Sequence, residues 1–404
     1  MGASGEKPYK VYRGGRSKGK VPLAGADKRD RKAPRKSGRS RGGRDGGSGS
    51  GSSGREVVRR QRRRWTWRRW LPIGIVGLVL LLILWGVLGY FSVRSGVSAA
   101  NARLPEGTTA PLKPQNGLML SNASNILLLG TDHSDNGQPG RSSDQHSDSM
   151  MLLRTDPSRH RLVFLSIPRD LRASIPGYGE SKVNAAMQIG GPKLAISTVA
   201  QLTGLPINHV VIVDFSAFQS LIDGIGGIDV NVPAPILSNR FDCPYKTSSR
   251  CAAWPGWHFA KGVQHMDGHR ALIYSRIREN RLNPADSDVT RAVRQQQVMQ
   301  QTLSKLASAS TFFRLPFSGS KLLSPIATDI STWQFMQLGW VKFRAGTTLH
   351  CRLGGKDYGD GYITGTEENI AVIQMVIGNS APQPPPPGSG PYGPGCVTGN
   401  QTFK

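Results

Sequence analysis

Asp132, in Leu129-Gly130-Thr131-Asp132, and Asp148, in Ser147-Asp148-Ser149-Met150-Met151, each stand where an apolar run meets polar sequence. Carboxylates at the C-terminal ends of strands in α/β folds point into the ligand crevice. Two of them on adjacent strands can hold one Mg²⁺ or Mn²⁺ through oxygen and leave coordination positions for phosphate. Either alone is more often a turn or cap residue. In Ser166-Ile167-Pro168-Arg169-Asp170, Pro168 closes an apolar run and fixes where Arg169 leaves it. The planar guanidinium of Arg169 suits two-point contact with phosphate, although a surface ion pair with Asp170 is its ordinary use.

A richer cluster lies downstream. Tyr274-Ser275-Arg276-Ile277-Arg278 alternates, so on a strand Arg276 and Arg278 project from one face. Asp286-Ser287-Asp288-Val289-Thr290-Arg291-Ala292-Val293-Arg294-Gln295-Gln296 then opens a long helix, with Asp286 or Asp288 suited to its N-cap. Arg291 and Gln295 are four apart and share a helix face. Such a row is ordinarily a solvated face. Joined to Arg276 and Arg278, it makes three cations and an amide, and the three guanidiniums repel one another unless an anion such as pyrophosphate sits among them.

Several elements must position these residues. Ile126–Leu129, Met150–Leu153, Leu162–Ile167, His209–Val213 and Ile228–Val232 read as strands, several of them apolar on both faces as a doubly covered sheet requires. Ala195, Val199 and Leu202 recur at helical spacing and stop at Gly204; Phe218, Leu221, Ile222 and Ile225 stop at Gly226-Gly227. The long helix begins near Val289 and buries Ala292, Met299, Leu303 and Leu306. This order predicts an α/β fold, an α/β/α layered domain around a central mixed sheet.

Charge divides the 404-residue chain. Residues 1–70 hold 23 Lys/Arg and 5 Asp/Glu, which is +18 of the net +26. That composition predicts a disordered basic tail. Residues 71–91 are apolar or small and uncharged, long enough to cross a ~30 Å hydrocarbon core, and too long and too far from Met1 for a cleaved signal peptide. Arg59 to Arg69 precede the run and only Arg94 follows closely, which places the N-terminus in the cytoplasm and the rest outside, in a single-pass cell-membrane protein. The basic arm suits anionic membrane lipids. No folded nucleic-acid module accompanies it, so no nucleic acid partner is expected. Residues 92–122 read as a polar extracellular stalk, 123–310 as the catalytic domain, 311–380 as a C-terminal part packed on it, and 381–404 as a loose Pro/Gly-rich tail. All four cysteines follow the apolar run, and no CxxC or CxxH spacing favours zinc. Three disulfide pairings exist; closeness in sequence favours Cys243–Cys251 and leaves Cys351–Cys396.

Gly-Thr-Asp132, Ser-Asp148-Ser-Met-Met-Leu, Ser-Ile-Pro-Arg169-Asp, Lys182-Val-Asn184-Ala-Ala, Ile-Asp223-Gly-Ile-Gly-Gly-Ile, Leu-Ile-Tyr-Ser-Arg276-Ile-Arg278 and Asp-Ser-Asp-Val-Thr-Arg291-Ala-Val-Arg-Gln295-Gln occur in this order. Together they resemble the LytR-CpsA-Psr family over roughly residues 124–308, in an actinobacterial-type member. The resemblance implies a hydrophobic groove for a polyprenyl chain. It also implies a metal-dependent phosphotransferase of cell-wall assembly, moving a glycopolymer phosphate from a polyprenyl-pyrophosphate carrier to a peptidoglycan sugar hydroxyl. Teichoic acid or arabinogalactan would be the glycopolymer. Asp132 and Asp148 would hold Mg²⁺ or Mn²⁺; Arg169, Arg276, Arg278, Arg291 and Gln295 would contact the pyrophosphate, with Asp132 and Arg169 catalytic. Hydrolysis of the pyrophosphate, or lipid binding by a non-catalytic regulator, are the alternatives. Two stretches depart from the family pattern: Asp135 to Gln145, which adds Asp144 as a third candidate carboxylate, and an insertion-like loop, Asn239–Trp257, carrying one cysteine pair.

Overall fold

The computed structural model describes residues 67–131, 147–284, 288–389 and 392–399. The basic tail up to residue 66, and Asp132, Asp144 and Asp286, lie outside the described residues; Asp148 is described in its backbone alone. Along the chain come α1 (Trp67–Ala102), β1 (Ser124–Thr131), β2 (Ser147–Asp156), β3 (Arg161–Ile167), β4 (Arg172–Ile175), β5 (Gly179–Lys182), α2 (Ala185–Thr203), β6 (His209–Asp214), α3 (Phe215–Gly224), β7 (Ile228–Val232) and β8 (Ile236–Leu237). There follow α4 (Ser248–Ala253), β9 (His258–Phe259), β10 (Gly262–Met266), α5 (Gly268–Arg276), α6 (Asp288–Leu306), α7 (Ala309–Leu323), β11 (Ala327–Thr328), α8 (Thr332–Arg344), β12 (Thr347–Arg352), β13 (Gly355–Asp357), β14 (Ile363–Gly365), α9 (Glu368–Ile377) and β15 (Gly395–Thr398).

Among the described residues, the main sheet runs β11-β6-β1-β2-β3-β12-β15. β1 with β6 and β3 with β12 are parallel, while β1 with β2 and β2 with β3 are antiparallel, so the sheet is mixed as expected. Alternate residues feed two cores. Leu127, Leu129, Leu152, Val163 and Leu165 pack with Ile196 and Val199 of α2 and Val372 and Val376 of α9. Ile126, Met151, Leu153, Leu162 and Phe164 pack with Met299 and Leu303 of α6 and Val341 of α8. Strands that are apolar on both faces thereby cover both faces. Helix α2 stops at Gly204, whose left-handed φ of 67° an unbranched Cα adopts without strain.

Four expectations need correction. The 92–122 segment is not a stalk. α1 continues to Ala102, and Val93, Val97 and Ala100, at helical spacing, are buried against Ile222, Ile225, Leu322 and Leu323. Strand β7 does form, but it pairs antiparallel with β10 in a separate two-stranded sheet, and its burial alternates as a half-covered strand requires. Arg276 and Arg278 do not share a strand. Asp267 caps α5 by accepting from the Arg270 amide, and Ala271 to Tyr274 fill the core along a short helix that ends at Arg276. The tail beyond 381 is not wholly loose, because β15 completes the sheet beside β12. Buried Arg352 donates to the Gly393 carbonyl, and the Cys396 amide donates to Gln383. Both disulfides form as paired above, Cys351–Cys396 directly across β12 and β15.

Candidate functional site

The C-terminal ends of β1 and β6 lie side by side, Thr131 opposite Asp214, and Thr131 also pairs with Ser147 at the start of β2. β3 ends at the same edge, Ile167 opposite Met150. A cavity of about 370 Å³ opens here, lined by Gly130 and Ser149 from the sheet, Phe215 and Leu221 from α3, Leu272 from α5, and one face of α6. The α6 face sets its polarity. Arg291 and Gln295 are followed one and two turns on by Val298, Met299 and Thr302, so lining changes from cationic to apolar over about 16 Å. Leu128, Leu129, Met151 and Phe218 extend the apolar part.

Arg276, Arg278, Arg291 and Gln295 all line this one cavity, though three different backbone contexts deliver them. Arg276 ends α5, Arg278 lies in the following extended segment, and Arg291 is 7% exposed on α6. Gln295 accepts from the Ser149 hydroxyl at 3.1 Å, joining α6 to β2. The α5–α6 junction is held by Arg294, which donates to the Ile277 carbonyl at 2.6 Å, and by Tyr274, whose hydroxyl donates to Gln297 at 3.0 Å.

Arg276 forms an ion pair with Asp242 and lies 4.5 Å above the Phe215 ring and 5.7 Å from that of Phe241. Asn239 and Phe241 line the cavity as well, so the cysteine-bearing insertion supplies part of its wall. Sequence reasoning left that loop without a role and missed Asp242. No spacing rule joins it to Arg276, and the contact exists only because the Cys243–Cys251 loop folds over the end of α5. Asp214, also missed, lines the cavity and caps α3 by accepting from the Ala217 amide at 2.7 Å. The Asp214-Phe215-Ser216-Ala217 order before an apolar run was its signal.

Arg169 is not among the lining residues. It leaves the sheet two residues beyond β3 and pairs with Asp170 at 3.3 Å, while Lys182 reaches the other carboxylate oxygen at 2.8 Å. Burial would raise the Asp170 pKa, but the Lys182 hydrogen bond and the Arg169 charge outweigh it and hold the carboxyl below its usual range. Of the two proposed metal ligands, Asp148 lies within β2 between Ser147 and Ser149, whereas Asp132, next in sequence after Thr131, lies outside the described residues. Aspartate carboxylates are hard oxygen ligands, suited to a divalent ion facing phosphate oxygens. Among the described residues there is no group of three or more His, Cys, Asp or Glu placed to hold a metal.

Fold and cavity together define a class: a layered α/β/α domain whose cavity is lined by three arginines and by an apolar stretch of α6. The LytR_cpsA_psr family model matches residues 90–345, and the chain belongs to that family. Its curated relatives include the polyisoprenyl-teichoic acid–peptidoglycan teichoic acid transferases TagU of Oceanobacillus iheyensis, 32% identical over 288 residues (68% of this chain, 81% of that protein), and TagU of Bacillus mycoides, 32% identical over 247 residues (59% and 71%). The crystal structure of Bacillus subtilis TagV superposes with a TM-score of 0.50 at 26% identity, covering 64% of this chain and 96% of that one. A structure of TagT bound to LI-WTA shares the fold, with a TM-score of 0.51 at 22% identity over 66% of this chain and 94% of that one.

Proposed function

We propose that this chain transfers a glycopolymer phosphate from a polyprenyl-pyrophosphate carrier to a peptidoglycan sugar hydroxyl, as the names of its curated relatives suggest for teichoic acid. The observation that carries this reading is the cavity, which joins three arginines from two helices and the segment between them to an apolar lining on α6. In this reading Arg276, Arg278 and Arg291 bind the pyrophosphate oxygens and spread the charge that develops in transfer, the chief demand phosphoryl transfer makes on a protein. Gln295 orients one oxygen, and the apolar lining keeps water from the carrier chain. The acceptor oxygen forms a bond to the glycan-bearing phosphorus, the bond from that phosphorus to the bridging oxygen breaks, and polyprenyl phosphate leaves with the electron pair. Asp132 takes the acceptor proton, and Arg169 steadies the departing charge from the β3 edge.

Asp132 and Asp148 would hold Mg²⁺ or Mn²⁺, which when bound supplies further neutralisation of the pyrophosphate. Asp132→Asn and Asp148→Asn are each expected to abolish metal-dependent turnover; wild-type rates in either would remove that residue from the site. The membrane anchoring, with a cytoplasmic N-terminus and an extracellular domain, rests on the charge flanking residues 71–91 and on two disulfides beyond them.

The test is incubation of the full chain in lipid with a polyprenyl-pyrophosphate glycan, Mg²⁺ and peptidoglycan. Covalent glycan on the peptidoglycan is the expected result. Phosphate release without linkage would make the chain a pyrophosphatase, and binding without turnover a lipid-binding regulator. Teichoic acid and arabinogalactan donors compared side by side would assign the polymer and decide the actinobacterial-type reading.

A further inference from the structure

α1 is long and apolar enough to cross a membrane. Between Arg69 and the domain contact at Trp85 it has only 15 uncharged residues, Trp70 to Leu84. They span about 22 Å, short of a ~30 Å hydrocarbon core by about 8 Å. The missing depth is the stretch Trp85 to Phe91, and there α1 is not alone. α7 runs beside it in the same direction. The Trp85 and Phe313 rings lie 5.9 Å apart and the indole NH donates to the Phe313 carbonyl. A Cβ on Gly89 would lie 3.7 Å from Pro316, and one on Gly96 only 2.8 Å from the Ser320 backbone. The Ser320 amide donates to Ser92.

We propose that α7 is a second, partial membrane element, with Phe313 and Phe317 inserted among the acyl chains of the leaflet on the folded domain's side. The contacts with α1 fix Phe313 at the depth of Trp85, and Phe317, one turn on, near that of Gly89 and Tyr90. Both phenylalanines face outward, 64% and 81% exposed. α7 carries no carboxylate, and of its two cations Arg314 turns back to the domain, its guanidinium 3.4 Å from where a Gly226 Cβ would be. A cation near the interface behaves this way, its stem in lipid and its head withdrawn. The deep end of α7 also satisfies itself: Ser308 accepts from the Thr311 amide and Thr311 donates to the Lys305 carbonyl, as backbone near lipid requires. At 15 residues α7 is too short to cross. Its insertion seats α6, which ends three residues before it and lines the cavity with Val298, Met299 and Thr302, against the membrane.

The test is a nitroxide at Phe317→Cys in the full chain in lipid nanodiscs, the native cysteines being tied in disulfides. Labels at Leu80→Cys, within the apolar run, and at exposed Val263→Cys on β10 bracket the scale. The expected result is loss of collisions with a water-soluble nickel chelate at Phe317 to the level of Leu80, with oxygen access retained. Nickel access equal to Val263 while Leu80 stays shielded overturns the insertion of α7 alone; nickel access at Leu80 too overturns it through the spanning of α1. Spin–spin broadening at Phe317 overturns it in favour of a second copy. In the unsubstituted chain, a diazirine placed on a lipid acyl chain should mark 309–323 as well as 71–91, and marks confined to 71–91 overturn the proposal.

Discussion

Arg276 is held by the Asp242 carboxylate and the Phe215 face, while Arg291 is nearly buried on α6. These two differ from Arg278, which is exposed. Truncating a buried cation at an anion site costs several kcal/mol, against less than about 1 kcal/mol for an exposed one. Arg291→Ala is therefore expected to weaken binding of a prenyl pyrophosphate on the order of a hundredfold, and Arg278→Ala less than about tenfold, by titration calorimetry with circular dichroism as the folding control. His350 poses a separate test. It stacks on Phe164 in the core, and burial pushes its pKa down to about 4 from 6.5. Below pH 6.5 the unfolded chain takes up a proton that the folded one refuses, so stability falls as pH drops from 6.5 towards 4 and levels off below. The loss is at most on the order of 3 kcal/mol. His350→Leu should flatten that arm of a denaturation-midpoint profile, leaving the later acid loss from Asp156, held low against burial by hydrogen bonds from Ser158, Arg159 and Arg161, and from Asp170, held low by Lys182 and Arg169.

α6 carries both the polar and the apolar lining, so its two halves can be separated by substitution. Met299→Trp should fill the apolar stretch while leaving Arg291, two turns away, untouched. Long-chain prenyl pyrophosphate binding should fall by about tenfold or more with short-chain binding kept; equal loss of both would separate Met299 from the tail site. At this scale the sequence is half legible. The Arg291/Gln295 face followed from 3.6-residue periodicity, which survives in any long helix. The Arg276/Arg278 alternation misled, because a five-residue stretch carries both periods, and Asp267 at the N-cap decided for helix.

The whole molecule is closed by its C-terminal segments. Cys351–Cys396 spans 45 residues and ties β15 to β12, whereas Cys243–Cys251 spans eight. Loop-closure entropy assigns about 4 kcal/mol to the first and about 2.5 kcal/mol to the second. Cys351→Ser with Cys396→Ser should thus lower the denaturation midpoint more than the Cys243/Cys251 pair. Loss of the shorter-loop pair should instead weaken prenyl pyrophosphate binding, since Phe241 and Asp242 directly precede Cys243; unchanged binding would detach the disulfide from the site.

By itself the sequence determined the apolar helix, the doubly apolar strands, the mixed layered sheet and the family, because local periodicity and ordered motifs record them directly. It also named Arg276, Arg278, Arg291 and Gln295, four of the polar residues that line the cavity. Tertiary structure alone decided that α1 runs on into the core through Val93 and Val97, that the Asn239–Trp257 insertion walls the cavity, and that β15 returns from the Pro-rich tail to complete the sheet. Each of these is a contact between segments distant in sequence, and its side chains serve equally well on a solvent face. Only the packing of partners from elsewhere in the chain selects between the two.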